Sequence, residues 1–143
     1  MHVSEAMTPD VVSVTPETTL MEAAQLMRGL DVGPLPVSAD GRLVGMITDR
    51  DITVRATAEG RDPRTTEVRD VMTPELIYCR EDDDVERAAG RMQAGRIRRL
   101  LVVDDQMRLV GIVSLGDLAL HDPDGELSAK TLEKVSEPAR SEE

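Results

Sequence analysis

Apolar side chains at Leu20, Ala23, Ala24 and Met27 recur at the three- and four-residue steps that place them on one helical face, and the pattern returns at Val85, Ala88, Ala89 and Met92. Each set opens behind polar residues, Thr18 and Thr19 in one case and Asp82 to Asp84 in the other, and Thr19 with Glu22 reads as a capping box. Upstream of each helix a short run, Val11 to Val14 or Leu76 to Cys79, is bounded by Thr-Pro and polar residues and predicts a strand. Downstream, Leu35-Pro36-Val37 and Leu100-Leu101-Val102-Val103 lead into polar turns, Asp40-Gly41 and Asp104-Asp105. Leu43 to Ile47 and Leu109 to Val113 follow, so each stretch predicts a β-hairpin. A second helix is expected from Thr48 to about Glu59, with a counterpart from Ser114 to about Leu120.

The chain is therefore a tandem duplication of a strand, helix, strand, strand, helix unit. Val3-Ser4-Glu5-Ala6-Met7-Thr8-Pro9 aligns with Val68-Arg69-Asp70-Val71-Met72-Thr73-Pro74, 65 residues on. From Arg42 the offset is 66, because one residue is inserted in the turn Asp104-Asp105-Gln106-Met107. The fold class expected is α+β, with a first repeat over 3–59, a polar connector over 60–67 and a second repeat over 68–120. The tail, 121–143, has no counterpart; Leu127, Leu132 and Val135 can form one face of a short helix, whereas Pro123, Gly125, Pro138 and the acidic end point to fraying.

Composition narrows the chemistry. With no Phe or Trp and a single Tyr, a planar ligand must be gripped by aliphatic side chains and backbone. A net charge of -11 argues against nucleic acid or an anionic membrane as partner, since phosphate binding draws on clustered Lys and Arg. No stretch approaches the roughly 18 to 20 apolar residues of a membrane span, and the first residues lack a basic and apolar leader, so a cytoplasmic protein is expected. The lone Cys79 and two His residues give no zinc-site spacing, so no metal is expected.

Each copy carries Gly-apolar-apolar-Thr/Ser-x-x-Asp: Gly45 to Thr48 and Asp51, then Gly111 to Ser114 and Asp117. A unit of this element order, given twice with this motif, resembles the cystathionine beta-synthase (CBS) domain pair, or Bateman module, over about residues 3 to 120. As a stand-alone pair it is also similar to the small proteins grouped with hypoxic response protein 1. The resemblance implies two α+β repeats packed about a pseudo-twofold axis, a homodimer joined through helices, and an adenosine-containing ligand in the cleft between repeats. Ala23, Ala24, Ala88, Ala89, Met21, Met27 and Met92 suit such a helix contact, and equally suit each repeat's own core.

Within the motif the strand ends where a helix begins, so the hydroxyl of Thr48 or Ser114 and the backbone N–H groups of the first turn point at one spot suited to phosphate. The resemblance gives Asp51 and Asp117 the ribose hydroxyls, and Thr48 and Ser114 contact with phosphate or ribose. Arg50 lies inside the first motif, while Leu115-Gly116 leave the second without a cation. Conversely, Arg98 and Arg99 lead into the second hairpin where the first copy has Gly33-Pro34, and the resemblance makes them phosphate contacts. Two other readings stand beside these. Thr/Ser-x-x-Asp is also a helix cap worth about 0.5 to 2 kcal/mol without ligand, and Arg98-Arg99 can protect a sheet edge. The acidic run Glu81 to Asp84 suits a helix N-terminus and disfavours a triphosphate nearby. On these grounds the site around Thr48, Arg50 and Asp51 ranks ahead of the one around Ser114 and Asp117.

The function expected is regulatory: a dimeric module that binds AMP, ADP, ATP or S-adenosylmethionine and acts on an unknown protein target. It needs no cofactor and no metal. The alternative is a ligand-independent dimeric scaffold in which both motifs are only caps. Two His residues outside the repeats assemble no catalytic arrangement, so no enzyme is expected.

Overall fold

The computed structural model describes residues 1–74, 76–121 and 125–137. It divides into two compact units, Val12–Leu76 and Met1–Val11 with Ile77–Glu143. The elements are α1 (Val3–Ala6), β1 (Thr8–Pro9), α2 (Leu20–Leu30), β2 (Pro34–Ala39), β3 (Arg42–Thr48), α3 (Asp49–Arg55), β4 (Tyr78–Arg80), α4 (Val85–Gly95), β5 (Arg99–Val103), β6 (Leu109–Ser114), α5 (Leu115–Leu120) and α6 (Glu126–Ser136).

In the unit containing Ile77–Glu143 the sheet order is β1-β6-β5-β4. β5 and β6 form the antiparallel hairpin, β4 joins β5 in parallel, and β1 pairs antiparallel with β6 through Thr8 and Ile112. The Val12–Leu76 unit repeats this plan in reduced form. Its β2–β3 hairpin is flanked by single bridges, Val14 to Val37 in parallel and Thr73 to Met46 antiparallel. Both hairpins shift register at matching positions, Val37/Ser38 and Val102/Val103. The opening segment of each repeat thus packs in the unit built from the other repeat's hairpin.

The strand expected over Val11 to Val14 shrinks to the bridge at Val14, and Pro36 supplies the reason. Val14 bonds Pro36 O (3.0 Å) and Ser38 N (2.8 Å). The next parallel step, at Val12, would need an N–H from Pro36, which has none. In the second copy Leu101 stands there, and β4 runs over three residues.

The Thr19 cap follows the sequence, whereas Asp84, at the N-cap of α4, makes no side-chain cap bond. Thr19 Oγ1 accepts from Glu22 N (3.2 Å) and donates to Glu22 Oε1 (2.9 Å). The helix expected from Thr48 to Glu59 ends at Arg55, because Ala56 O turns to accept from Glu59 N and Arg61 N and a 3-10 turn, Thr57–Glu59, follows. The inserted residue is absorbed by Asp104, whose Oδ1 accepts from Arg108 N (2.9 Å) and Gln106 N (2.8 Å), with Arg108 Nε on Oδ2 (3.0 Å). These bonds, those from Arg108 first, hold the Asp104 carboxyl below the usual range.

Each unit has its own core. Leu20, Met27, Leu35, Val37, Ile47 and Val68 anchor one, and Val3, Cys79, Met92, Leu100, Val102 and Val113 the other. α6 adds Leu127 and Val135 to the second core, and its Thr131 is fully buried, accepting from Gln93 Nε2 of α4 at 3.0 Å. Leu132, expected on the same face as Leu127, lies half exposed on another side, and Thr131 takes the inward position. Residues 138–143 lie outside the described residues.

Candidate functional site

The two motifs fold alike. Thr48 N donates to Asp51 Oδ2 (3.0 Å) while Asp51 N donates to Thr48 Oγ1 (3.0 Å). Ser114 N donates to Asp117 Oδ2 (2.8 Å) and Asp117 N to Ser114 Oγ (3.0 Å). Both are reciprocal capping boxes, and in each the same carboxylate that would take ribose already uses one oxygen. The second oxygen of Asp51 lies 4.0 Å from Arg55 Nε.

The first-turn N–H groups expected to face phosphate in the first copy are already bonded. Asp49 N donates to Gly33 O (3.2 Å), Arg50 N to Asp49 Oδ1 (3.0 Å) and Asp51 N to Thr48 Oγ1. The chain's own short acceptors reach these donors first.

What stands beside each box differs. At Gly33 an added Cβ would lie 3.1 Å from Asp49 Oδ1, so a carboxylate sits against the segment leading into β2. In the second copy that place belongs to Arg98, whose carbonyl accepts from Leu115 N at 2.8 Å and ties it to the first turn of α5. Arg98 and Arg99 are both exposed, and neither forms a salt bridge among the described residues. Arg50 is likewise exposed and unpaired there.

The motif glycines have a packing reason. A Cβ at Gly111 would meet Met7 Sδ at 2.6 Å and Thr8 O at 2.9 Å; at Gly45 it would meet Met72 Sδ and Thr73 O, both at 3.0 Å. Gly in each motif and Met-Thr-Pro in each opening segment are therefore one device, in which a backbone lies flat on a strand.

An apolar seat in the second copy was not singled out from the sequence. Ile77 and Ile97 converge over Gly95, where an added Cβ would touch both at 3.5 to 3.7 Å, and Ile77 is 48% exposed. The legible signal was the glycine at the end of α4 where α2 has Leu30. Tyr78, by contrast, holds Arg91, which donates to its carbonyl at 2.6 Å and lies 5.9 Å over its ring. Cys79 is buried; desolvation, with Asp83 adding to it, pushes its thiol up to about 12. In the acidic run, Glu81 O and Asp83 O accept from Ser4 N and Val3 N, and Asp83 Oδ2 accepts from Arg80 N.

Of the residues suited to a helix contact, Ala23, Met27, Ala88, Ala89 and Met92 are buried in their own cores, leaving Met21 and Ala24 exposed. Among the described residues no group of three or more His, Cys, Asp or Glu is placed to hold a metal, and no helix is long and apolar enough to cross a membrane.

The family model for the CBS domain matches residues 3–56 and 68–123. A CBS domain-containing protein of Bacillus subtilis, YhcV, is 45% identical over 134 residues, covering 94% of both chains. Hypoxic response protein 1 of Mycobacterium tuberculosis is 36% identical over 121 residues, 84% of each chain. The crystal structure of Hypoxic Response Protein I with two coordinated zinc ions matches with a TM-score of 0.75 at 35% identity, covering 85% of this chain and 98% of that one. The structure of CBSX2 in complex with AMP has a TM-score of 0.71 at 29% identity, with coverage of 84% and 94%. That of the MJ0100 domain pair with 5'-methylthioadenosine and S-adenosyl-L-methionine has a TM-score of 0.68 at 30% identity, with coverage of 85% and 98%.

Proposed function

Since the chain belongs to the CBS domain family and carries the domain twice, we propose that it is a regulatory module whose second copy binds an adenosine-containing ligand, AMP, ADP, ATP or S-adenosylmethionine. The observation that carries this reading is the bond from Leu115 N to Arg98 O, which fixes the Arg98 backbone at the helix start that holds the Ser114–Asp117 box, where the first copy has Gly33 in the matching bond. Asp117 takes the ribose hydroxyls through its remaining oxygen, Ser114 lines the ribose, Arg98 or Arg99 meets phosphate, and Ile77 and Ile97 receive the adenine in place of aromatic rings. The complexes of CBSX2 with AMP and of MJ0100 with adenosyl compounds support the ligand class.

In the first copy Thr48, Arg50 and Asp51 form the corresponding site, but there the Asp49 carboxylate lies against Gly33, where the second copy has Arg98. We rank it second, the reverse of the order the sequence suggests. The protein works without catalysis, as a cytoplasmic homodimer acting on a separate protein target, with no required cofactor, metal, nucleic acid or membrane.

A second reading is favoured by the saturated capping boxes: a ligand-independent dimeric scaffold in which Asp51 and Asp117 serve only the helices. Calorimetric titration with the four ligands separates the two. Binding is expected, Asp117→Asn is expected to weaken it at least tenfold while keeping the cap acceptor, and Asp51→Asn is expected to leave it within about twofold. No heat from any adenosyl compound at millimolar concentration leaves only the scaffold. A ligand at a hundred times its dissociation constant is expected to stabilise the protein by about 2.7 kcal/mol.

A further inference from the structure

The two copies differ at one further place, on the outer flank of α2 and α4. In the second copy Arg91 of α4 reaches back to the strand before it, donating to Tyr78 O at 2.6 Å and lying over the Tyr78 ring. The aligned residues in the first copy are Leu26, which has no donor, and Ser13, which has the carbonyl but no ring. The space that Arg91 and Tyr78 fill in one unit is open in the other, as a groove of about 440 Å³ lined by Ser13, Thr15, Thr18, Glu22 and Leu26 among others.

Charge at this groove is opposite in sign to that at its filled counterpart. Glu22 aligns with Arg87, which pairs with Asp83 at 4.0 Å. Glu22 Oε1 accepts from Thr19 Oγ1, and its other oxygen has no partner among the described residues. Thr15 and Thr18 satisfy each other, Oγ1 to Oγ1 at 3.1 Å, with Thr15 N donating to Thr18 Oγ1 at 3.0 Å. The acceptors on offer to an incoming group include the Ser13 carbonyl and the Glu22 carboxylate, with Gln25 also in the lining, and Leu26, 37% exposed, offers an aliphatic wall.

We propose that this groove binds an arginine side chain presented by a partner protein. The second copy shows what the architecture accepts there: a guanidinium on the carbonyl of the strand. A guanidinium offers five donors in a planar fork, which can bond the Ser13 carbonyl and Glu22 together, while its stem lies along Leu26. Lysine supplies a point charge that reaches one acceptor well. The chain's net charge of -11 draws a basic partner and raises its encounter rate. This site is separate from the proposed nucleotide site, and neither depends on the other.

The test is a two-dimensional NMR titration of the isotope-labelled full chain with the capped peptide acetyl-Gly-Arg-Gly-amide. Saturating shifts confined to the amides of Ser13, Val14, Glu22 and Leu26 are expected, with no such shifts from the norleucine peptide. Glu22→Gln is expected to weaken binding about threefold, in the range of an exposed ion pair. Ser13→Tyr with Leu26→Arg installs the second copy's own plug and is expected to abolish the shifts while the thermal melt shows an intact fold. Shifts spread evenly over the acidic surface, or shifts that survive the double substitution, overturn the proposal. Groove resonances that move with protein concentration alone identify the occupant as a second copy and also overturn it.

Discussion

In the unit holding α4, the strand beside the hairpin runs over three residues, an arginine and a tyrosine seal the outer flank, and α6 covers the helices. At the matching places in the unit holding α2, the strand is a single bridge, the flank is open, and Met21 and Ala24 of the helix are exposed. The same repeat thus yields one finished unit and one unfinished one. Few residues make the difference: Pro36 against Leu101, Ser13 and Leu26 against Tyr78 and Arg91, and a tail present once. Duplication supplies the scaffold, and single substitutions at its margins decide which surfaces stay open.

The sharpest way to break this comparison is to end the chain at His121. Removing α6 forfeits the burial of Leu127, Thr131 and Val135, which is expected to cost about 3 kcal/mol at the usual value per unit of apolar area. Hydrogen exchange is the measurement: amides of β4, β5 and β6 should lose protection while those of β2 and β3 keep theirs. Uniform loss would mean that the two units do not have separate cores.

Next in size are the motif glycines. Gly111→Ala drives a methyl into Met7 Sδ and Thr8 O and is expected to destabilise by about 1 to 3 kcal/mol in urea melts, more than Gly45→Ala, whose neighbours stand farther off. Equal effects would show that the flexible methionines absorb both clashes alike.

A pH test addresses one unit alone. The buried Cys79 thiol keeps its proton in the folded state to about 12, whereas an unfolded thiol ionises near 9.0. Its contribution is full below pH 9 and falls by about 1.4 kcal/mol per pH unit between 9 and 12. Cys79→Ala should remove that component of the slope. Val14 is the counterpart in the other unit and has no such dependence.

The smallest effect sharpens the likeness between the copies. Thr48→Ala and Ser114→Ala each remove one side of a capping box of the same geometry, and each should cost about 1 kcal/mol in thermal or chemical melts. A much larger cost at one of them would mark that hydroxyl as holding more than its own helix.

Much of this is legible in the amino-acid sequence. The period of Leu20, Ala23 and Met27, the Thr19 cap, both hairpins and the matched motifs all depend on local steps of two to four residues, which a sequence displays directly. The seat made by Ile77 and Ile97 was not legible, because those residues are twenty apart and meet only through the close of α4 over Gly95. The ranking we propose for the two sites likewise rests on relations that local sequence does not display. Arg50 is adjacent to its Asp in sequence, but Asp49 Oδ1 against Gly33 and the Arg98 carbonyl on α5 are relations across space.

The amino-acid sequence by itself determined the duplicated α+β repeat, the element order and the residue types at both helix starts, since periodicity and capping are local physics. Only the tertiary structure decided which unit each opening segment joins, why the motif needs glycine, and which helix flank α6 covers. Those outcomes rest on close packing between residues far apart in the chain, where a few tenths of an ångström separate contact from clash.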